Sequence, residues 1–333
     1  MKNIFKYGFL CVAAAAMMTA CDDWTEPESV GNKFESAGEV NPEVYAKYLA
    51  GLRSYRTTSH AKAYAWYANQ AAFSSQAHHV SALPDSIDVA VLTNPLQLND
   101  VTLNEMAELR ADKGMQFAAP IDVAAIKKAW TALKEAETAG GAAAPEWTQY
   151  LGENVQQILG VASNFDRVVV MYDGREQSAL TAAEQAADAA EQKAVLDPVV
   201  AWTSSNNKGL DFVGIPVNII DKSVLSNAGI IFLSESAAAT NANEFAFIIS
   251  RNSVSGVPTD RFAVMSYVPV LDPAQAAVGY WGKKLASHET ARWAAAHSLS
   301  GLGLVNIADD YYNPTFIYPV TRTAIQVLNP SAF

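Results

Sequence analysis

Short apolar runs alternate with amphipathic stretches along most of this 333-residue chain. Apolar runs bounded by turn residues are typical of strands buried on both faces, as in a parallel sheet, whereas apolar positions repeating every three or four residues indicate helices. The predicted strands are Lys62–Tyr67, Ile87–Leu92, Met115–Ala119, Val168–Tyr172, Leu210–Ile215, Ile230–Leu233, Phe262–Tyr267 and Leu302–Ile307. The predicted helices begin near Pro42 and cover Leu103–Lys113, Ala124–Thr138, Glu146–Ser163 and Thr181–Ala201.

Eight predicted strands with helical connections indicate an α/β fold, and that number fits a closed (β/α)8 TIM-type barrel. An open doubly wound sheet is the alternative, but no Gly-rich phosphate loop opens a helix in this chain. The nearest stretch, "LSGLGL" at 299–304, leads into a predicted strand instead. The pattern therefore favours one barrel domain over residues 42–333.

The first forty residues have a different character from the predicted barrel. "MKNIFKYGFLCVAAAAMMTAC" joins a basic start to a short apolar stretch, which is typical of a secretory signal and not of a membrane-spanning helix. Its ending, "MTAC", resembles the lipobox of bacterial lipoproteins, which implies removal of residues 1–20 and acylation of Cys21. An ordinary signal peptide that happens to end in cysteine is the alternative.

The stretch that follows the predicted cleavage site is acidic and polar. "CDDWTEPE" resembles the export tag of lipoproteins displayed on the outer face of an outer membrane. Residues 21–41 are rich in Glu, Ser and Gly, which predicts a flexible tether. We therefore expect a lipid-anchored outer-membrane protein at the cell surface, held to the membrane through Cys21.

Charge and composition exclude several kinds of site. The formal net charge is −11, and it becomes −13 when Lys2 and Lys6 leave with the signal, so we expect no nucleic-acid binding. Cys11 also lies in the predicted signal, which leaves no cysteine pair for a disulfide or a metal site. The five histidines are scattered, and the adjacent His78 and His79 point in different directions. We expect neither a metal ion nor another cofactor.

From residue 42 to its end the chain resembles the glycoside hydrolases of family 18, in the lipoprotein branch related to endo-β-N-acetylglucosaminidases and chitinases. The resemblance rests on "HAKAYAWYANQ", "LPDSIDVAVLTN", "ELRADKGMQFAAPID" and "GLGLVNIADDYYNPTFIYPVTRTAIQVLNP", in this order and spacing. It implies a barrel with its site at the carboxyl ends of the strands. It also implies a ligand that contains N-acetylglucosamine, such as an N-glycan or a chitin fragment.

The catalytic signature of that family, D-x-x-D-x-D-x-E, falls on "DRVVVMYD" in the fourth predicted strand. Asp166 matches the first Asp, but Val169 and Met171 replace the next two, and Asp173 replaces the Glu. The resemblance implies that the Glu protonates the leaving oxygen and that the Asp two residues earlier orients the acetamide nucleophile of the substrate. Met171 carries no charge, and the Asp173 carboxyl reaches about 1.5 Å less far than Glu. We therefore expect no intact catalytic residue.

Aromatic, amide and carboxylate groups that follow the predicted strands are the candidates for glycan binding, because sugars are held by ring faces and hydrogen bonds. The candidates are Trp66, Tyr67, Asn69, Asn94, Asp122, Tyr172, Asp173, Asn218, Glu235, Tyr267, Trp293, Asp309 and Tyr311. Trp293 is included because the family places a Trp near its last strand. Core packing is the alternative for the aromatic residues, and helix capping is the alternative for the loop at Asp309–Tyr312.

Three functions stay open from the sequence. The first is a surface lipoprotein with an inactive barrel that binds N-acetylglucosamine-containing glycans for uptake, beside outer-membrane uptake proteins. The second is an active but atypical endo-β-N-acetylglucosaminidase- or chitinase-like hydrolase with Asp173 as general acid. The third is a barrel that has lost carbohydrate binding and serves as a scaffold or partner-binding subunit of an outer-membrane glycan uptake complex. An intact acid at Asp173 with a second carboxylate within reach favours the enzyme. A groove lined with exposed aromatic rings and without a carboxylate pair favours binding, and a mouth plugged by loops favours the scaffold.

Overall fold

The computed structural model describes residues 37–330 of the chain. Of the described residues, 49–330 form one compact unit and 37–48 belong to a separate one. Helix α1 (Ala37–Val40) lies in the stretch expected as a tether, and helix α2 (Pro42–Thr57) begins at the predicted residue. The predicted signal and Cys21 lie outside the described residues. Within residues 37–330 no helix is both long and apolar enough to cross a membrane.

Eight parallel strands close into a barrel, which confirms the predicted (β/α)8 fold. Neighbouring strands follow chain order, and the barrel closes where Lys62 of the first strand pairs with Gly301 of the last. The barrel strands are β1 (Lys62–Tyr67), β2 (Val89–Leu92), β3 (Gln116–Asp122), β4 (Arg167–Tyr172), β5 (Gly209–Gly214), β6 (Ala228–Leu233), β7 (Phe262–Tyr267) and β10 (Gly301–Val305). Between β7 and β10, β8 (Tyr280–Trp281) and β9 (Lys284–Leu285) form a separate antiparallel hairpin.

Helices connect most of the barrel strands, and the predicted ones lie within about four residues of their expected ends. They are α3 (Asp100–Lys113), α4 (Val123–Thr138), α5 (Trp147–Val161), α6 (Ala182–Ser205), α7 (Asn243–Asn252), α8 (Ala286–Ala296) and α9 (Pro319–Leu328). Local sequence fixes several of their ends. Thr181 and Glu184 form a capping box at the start of α6, and Gly114 ends α3 in a left-handed conformation. Only short 3-10 turns connect β5 to β6.

Side chains of the barrel strands divide into an inner and an outer apolar cluster, because successive residues of a strand face opposite sides. The inner cluster consists of Tyr64, Trp66, Val89, Val91, Ala118, Val169, Val213, Ile230, Phe232, Ala263 and Met265. The ring of Phe232 contacts the rings of Tyr64 and Trp66 edge-on, with centroids 4.9 and 5.5 Å apart. The outer cluster lies between strands and helices and includes Tyr67 and Tyr172. The barrel interior is thus filled, as in other barrels of this size.

A buried ionic network closes the amino-terminal end of the barrel. Arg167 donates from Nε and Nη2 to the two carboxylate oxygens of Asp211, at 2.6 Å each, and Tyr64 Oη donates to the same carboxylate at 2.8 Å. Asp211 is fully buried. Burial and the adjacent Asp211 charge raise the pKa of Tyr64 well above its usual value. Burial alone lowers the pKa of Arg167, but Asp211 more than offsets this, and the net change is upward.

Candidate functional site

A cavity of about 880 Å³ lies at the carboxyl ends of the strands, the end of a barrel where active sites are built. Its walls come from the ends of β1, β3 and β4 and from the segments that follow β6, β7 and β10. Residues at the sequence-predicted positions that line it are Trp66, Asp122, Met171, Tyr267 and Asp309. The structure therefore gathers residues from five separate parts of the sequence around one space.

The two predicted aromatic residues of this cavity have different environments. Trp66 is 4% exposed and packs on Phe232, so it is part of the wall, and its Nε1 has no hydrogen-bond partner among the described residues. Tyr267 ends β7 and is 39% exposed. An exposed ring with a hydroxyl at its tip offers both an apolar face and a hydrogen bond to a ligand.

Other cavity residues come from the β8–β9 hairpin and were not predicted. Tyr280 is 42% exposed, whereas Trp281 donates from Nε1 to the Ala239 carbonyl at 2.6 Å and packs against Phe245. The only sequence signal for this hairpin is a pair of glycines around "YW". Gly279 has a φ of 84°, and a Cβ there would lie 2.5 Å from Pro269 N, so no other residue fits.

Val169 and Met171, the two replaced positions within β4, face the barrel interior. Val169 is fully buried in the inner cluster, and Met171 packs against that cluster while lining the cavity. In the sheet, Met171 is paired with Asp122 on one side and Val213 on the other. The surface that β4 presents to the cavity is therefore a thioether and not a carboxylate.

Asp173 and Asp166, the two acids of the degenerate motif, lie away from this surface. Asp173 follows the end of β4, is exposed, and accepts a hydrogen bond from Ser234 Oγ, but it is not part of the cavity lining. Asp166 lies at the opposite end of the strand, where its carboxylate accepts from Arg110 Nε at 2.8 and 3.0 Å and from Phe117 N at 2.8 Å. It joins the amino-terminal ends of β3 and β4 to helix α3.

Two predicted tyrosines lie on the outer face of their strands. Since Trp66 and Met171 point inward, the residues that follow them, Tyr67 and Tyr172, point toward the helices. Tyr67 Oη donates to the Ala77 carbonyl, and Tyr172 Oη donates to Asp188 Oδ1 at 3.2 Å. Burial raises the pKa of both hydroxyls. Neither side chain lines the cavity.

The predicted amide residues use their polar atoms to hold loops together. Asn69 Nδ2 donates to the Asn94 carbonyl at 2.9 Å, and Asn94 Nδ2 donates to the Asn69 carbonyl at 2.8 Å. This reciprocal pair joins the segments after β1 and β2. Asn218 is buried and donates from Nδ2 to the Asp173 carbonyl at 3.0 Å. None of the three lines the cavity.

The three remaining candidates also lie outside the cavity lining. Glu235 forms an ion pair with Arg251, with 2.5 Å between its Oε1 and Nη1. Trp293 is on α8, where its ring stacks on His297 with centroids 3.9 Å apart. Tyr311 packs edge-on against Tyr318 in the loop after β10. Within residues 37–330, no group of three or more His, Cys, Asp or Glu side chains is placed to hold a metal ion.

Comparison with known proteins identifies relatives of this fold. The family model described as glycoside hydrolase family 18, BT1044-like, matches residues 25–327. A variant of BT1044 has a TM-score of 0.61 and 14% identity, over 89% of this chain and 96% of that one. An endo-beta-N-acetylglucosaminidase from Cordyceps militaris has a TM-score of 0.58 and 13% identity, over 85% and 96%. A family 18 chitinase from Pseudoalteromonas aurantia has a TM-score of 0.50 and 13% identity, over 80% and 100%. No curated protein sequence matches.

Proposed function

Because the chain belongs to the BT1044-like branch of glycoside hydrolase family 18, we propose that it binds oligosaccharides containing N-acetylglucosamine without cleaving them. Structural neighbours of the chain include an endo-beta-N-acetylglucosaminidase and a chitinase, which points to this class of sugar. The observation that carries the proposal is an open cavity at the strand ends in which Met171 stands where the family has an acid.

The size and lining of the cavity support sugar binding. Its volume of about 880 Å³ is at the upper end of the range typical of small-molecule sites. Tyr267 and Tyr280 expose 39% and 42% of their surfaces there. Their ring faces offer apolar surface to the C–H groups of a pyranose, and Asn306 and Thr240 add polar groups at the wall. These features favour binding over a scaffold with a plugged mouth.

The environment of β4 supports the absence of hydrolysis. General acid catalysis contributes roughly 10²–10⁴-fold in rate, and a preorganised electrostatic partner adds about 10²–10³-fold. Met171 supplies neither function. Asp173 is directed to Ser234 and lies outside the cavity lining, so it is not held where a leaving oxygen would lie. Little of the family's rate enhancement is left for this chain.

The proposal also covers where the protein is located and what it does with the bound glycan. The "MTAC" and "CDDWTEPE" stretches support a lipid anchor at Cys21 and display on the outer face of an outer membrane. There the protein would hold glycans for neighbouring outer-membrane uptake proteins. A flexible anchor suits this role, because it lets one binding site sample a large volume around the membrane.

Calorimetric titration with chitotetraose tests glycan binding at this cavity. We expect saturable binding by the purified protein and an affinity about two- to twelvefold lower for Tyr267→Ala, since loss of one aromatic contact costs about 0.5–1.5 kcal/mol. Phe247→Ala is the matched control, because Phe247 is 70% exposed on α7 and does not line the cavity. Binding that is undetectable, or equal in all three proteins, contradicts the proposal.

A further inference from the structure

We propose that this cavity selects its ligand by charge, taking neutral or amine-bearing amino sugars and rejecting glycans that carry carboxylate or sulfate groups. The inference rests on the proposed function, because it names the class of glycan that the same site accepts. It arises from the arrangement of three carboxylates around the cavity, which is independent of the degenerate catalytic strand.

The three carboxylates come from two sides of the cavity: Asp272 and Asp309 follow the adjacent strands β7 and β10, and Asp122 lies on β3 across the barrel. Asp122 is the last residue of β3, Asp272 is in the segment after β7, and Asp309 is in the loop after β10. Asp122 and Asp309 are half-buried, so their charges are less well screened than those of fully exposed groups. A ligand held on the Tyr267 ring would therefore lie between negative groups.

Neutral donors fix each of these carboxylates in place. Asp122 Oδ1 accepts from Ala125 N at 2.9 Å, at the start of α4. Asp309 Oδ2 accepts from Leu271 N at 3.0 Å and from Asn306 Nδ2 at 3.1 Å. Because these donors carry no full charge, they orient the carboxylates without neutralising them.

Asp272 is held by neutral donors in the same way as Asp122 and Asp309. Hydrogen bonds from the backbone N–H of Ala274 and the side chain of Gln275 lower the pKa of Asp272.

No positive side chain compensates this charge inside the cavity. None of the described residues that line it is Lys, Arg or His. None of the ion pairs found within residues 37–330 involves Asp122, Asp272 or Asp309. Asp122 Oδ2 and Asp309 Oδ1 accept no hydrogen bond from the described residues, so each has an oxygen available to a hydroxyl or an ammonium group of a ligand.

Because no positive side chain in the lining offsets the carboxylates, the cavity should repel anionic ligands and attract cationic ones. An anionic group in the cavity meets like charges and finds no cation, so it loses its hydration without a partner. A hydroxyl or a protonated amine can donate to the available carboxylate oxygens, and hydrogen bonds to a charged acceptor are the stronger kind. The geometry therefore favours neutral and cationic sugars over anionic ones.

Titration with three tetrasaccharides tests this selectivity. Chitotetraose is neutral, its fully deacetylated counterpart carries amines, and a hyaluronan tetrasaccharide alternates N-acetylglucosamine with a carboxylate sugar. We expect the hyaluronan fragment to bind at least about tenfold more weakly than chitotetraose, a difference of about 1.4 kcal/mol. The amine-bearing ligand should bind more tightly than hyaluronan by a larger factor. Both ratios should shrink when ionic strength rises from about 0.01 M to about 0.15 M, because charges are then screened.

Amide variants then assign the selectivity to named residues. Asp122→Asn keeps a side-chain oxygen for the α4 cap but removes the charge, and Asp309→Asn does the same in the loop after β10. The double variant should reduce the ratio of chitotetraose to hyaluronan affinity by at least about threefold. Asp260→Asn is the matched control, because Asp260 is exposed before the amino-terminal end of β7 and does not line the cavity.

The outcomes separate the two proposals. Equal affinity of the wild-type protein for chitotetraose and hyaluronan overturns charge selection but leaves glycan binding in place. A ratio that the double variant and Asp260→Asn change to the same extent also overturns it. Failure of the wild-type protein to bind any of the three ligands overturns both the proposed function and this inference.

Discussion

Restoring an acid at position 171 should lower the stability of the protein. The size of this loss follows from the residues that surround Met171. Met171 packs against the inner cluster and is paired in the sheet with Asp122, and both side chains line the same cavity. Met171→Asp would place a second carboxylate beside Asp122. The Asn side chain of Met171→Asn has nearly the same shape as the Asp side chain of Met171→Asp, and both variants lose the same thioether contacts. The difference in stability between the two variants therefore measures the effect of the charge.

The size of this difference follows from strand geometry. Neighbouring strands are about 4.8 Å apart, which places the two carboxylates roughly 5–6 Å from each other. At an effective dielectric constant of about 20–40 for this partly exposed site, their repulsion is about 1.5–3 kcal/mol. Both variants also lose about 1–2 kcal/mol from removal of a half-buried methionine. We therefore expect Met171→Asp to be about 1.5–3 kcal/mol less stable than Met171→Asn at pH 7.

The pH dependence of the difference has a definite sign. Repulsion by Asp122 raises the pKa of the new carboxyl in the folded state above its unfolded value of about 3.9. Between those two pKa values the folded protein binds more protons than the unfolded chain, so the free energy of unfolding falls as pH rises. The gap between the variants should be small near pH 4 and complete near pH 7.

Urea unfolding of both variants across this pH range measures the gap. Equal stability of Met171→Asp and Met171→Asn at pH 7 would show that the site tolerates a second charge. A gap that is the same at pH 4 and pH 7 would show that the difference is not electrostatic.

Three further predictions concern other parts of the chain. Arg167→Met leaves the fully buried Asp211 without its cation, so the free energy of unfolding measured in urea should fall by about 3–5 kcal/mol. The same change at Arg110, whose partner is partly exposed, should cost no more than about 1 kcal/mol; equal losses would contradict the assignment. Trp281→Phe removes the hydrogen bond to the Ala239 carbonyl and should speed amide hydrogen exchange at the β8–β9 hairpin, while unchanged exchange would show that this bond does not hold the hairpin. Cys21→Ser should abolish fatty-acid labelling and membrane association, and persistence of both would exclude the proposed anchor.

The strands were predictable because both of their faces are apolar. In β1 and β7 the predicted and observed bounds coincide, and the other barrel strands differ at their ends by a few residues. Burial on both faces leaves a continuous apolar run that turn residues interrupt on either side. Helices α7, α8 and α9 were not predicted. In α8 the buried positions are Ala, Ser and Thr, which give little contrast with the exposed face.

The cavity was less predictable, because proximity to a strand end does not determine which way a side chain points. Trp66 and Tyr67 are adjacent in sequence, yet one faces the interior and the other the helices. Because side chains alternate between the two faces of a strand, the position of Trp66 on the inner face would have placed Tyr67 on the outer face. The contribution of Trp281 had no such signal, because it depends on a hydrogen bond to a carbonyl 42 residues earlier in the chain.

Asp166 has a structural role that the family signature does not indicate. It matches the first acid of the family signature, but in the structure it accepts hydrogen bonds from Arg110 and from the backbone of Phe117 at the amino-terminal end of the barrel. These contacts explain why an acid is present at position 166 although the other three positions of the signature differ. Sequence alone does not separate the two reasons for retention, because Arg110 is 56 residues away.

We propose that this family 18 barrel binds its glycan without cleaving it. Mass spectrometry of chitotetraose, after prolonged incubation with the purified protein at a concentration that calorimetry shows to be saturating, tests this most directly. We expect saturable binding and an intact tetrasaccharide with no shorter products. Release of shorter oligosaccharides by the unaltered protein, and its loss in Asp173→Asn, would contradict the claim and establish an active hydrolase.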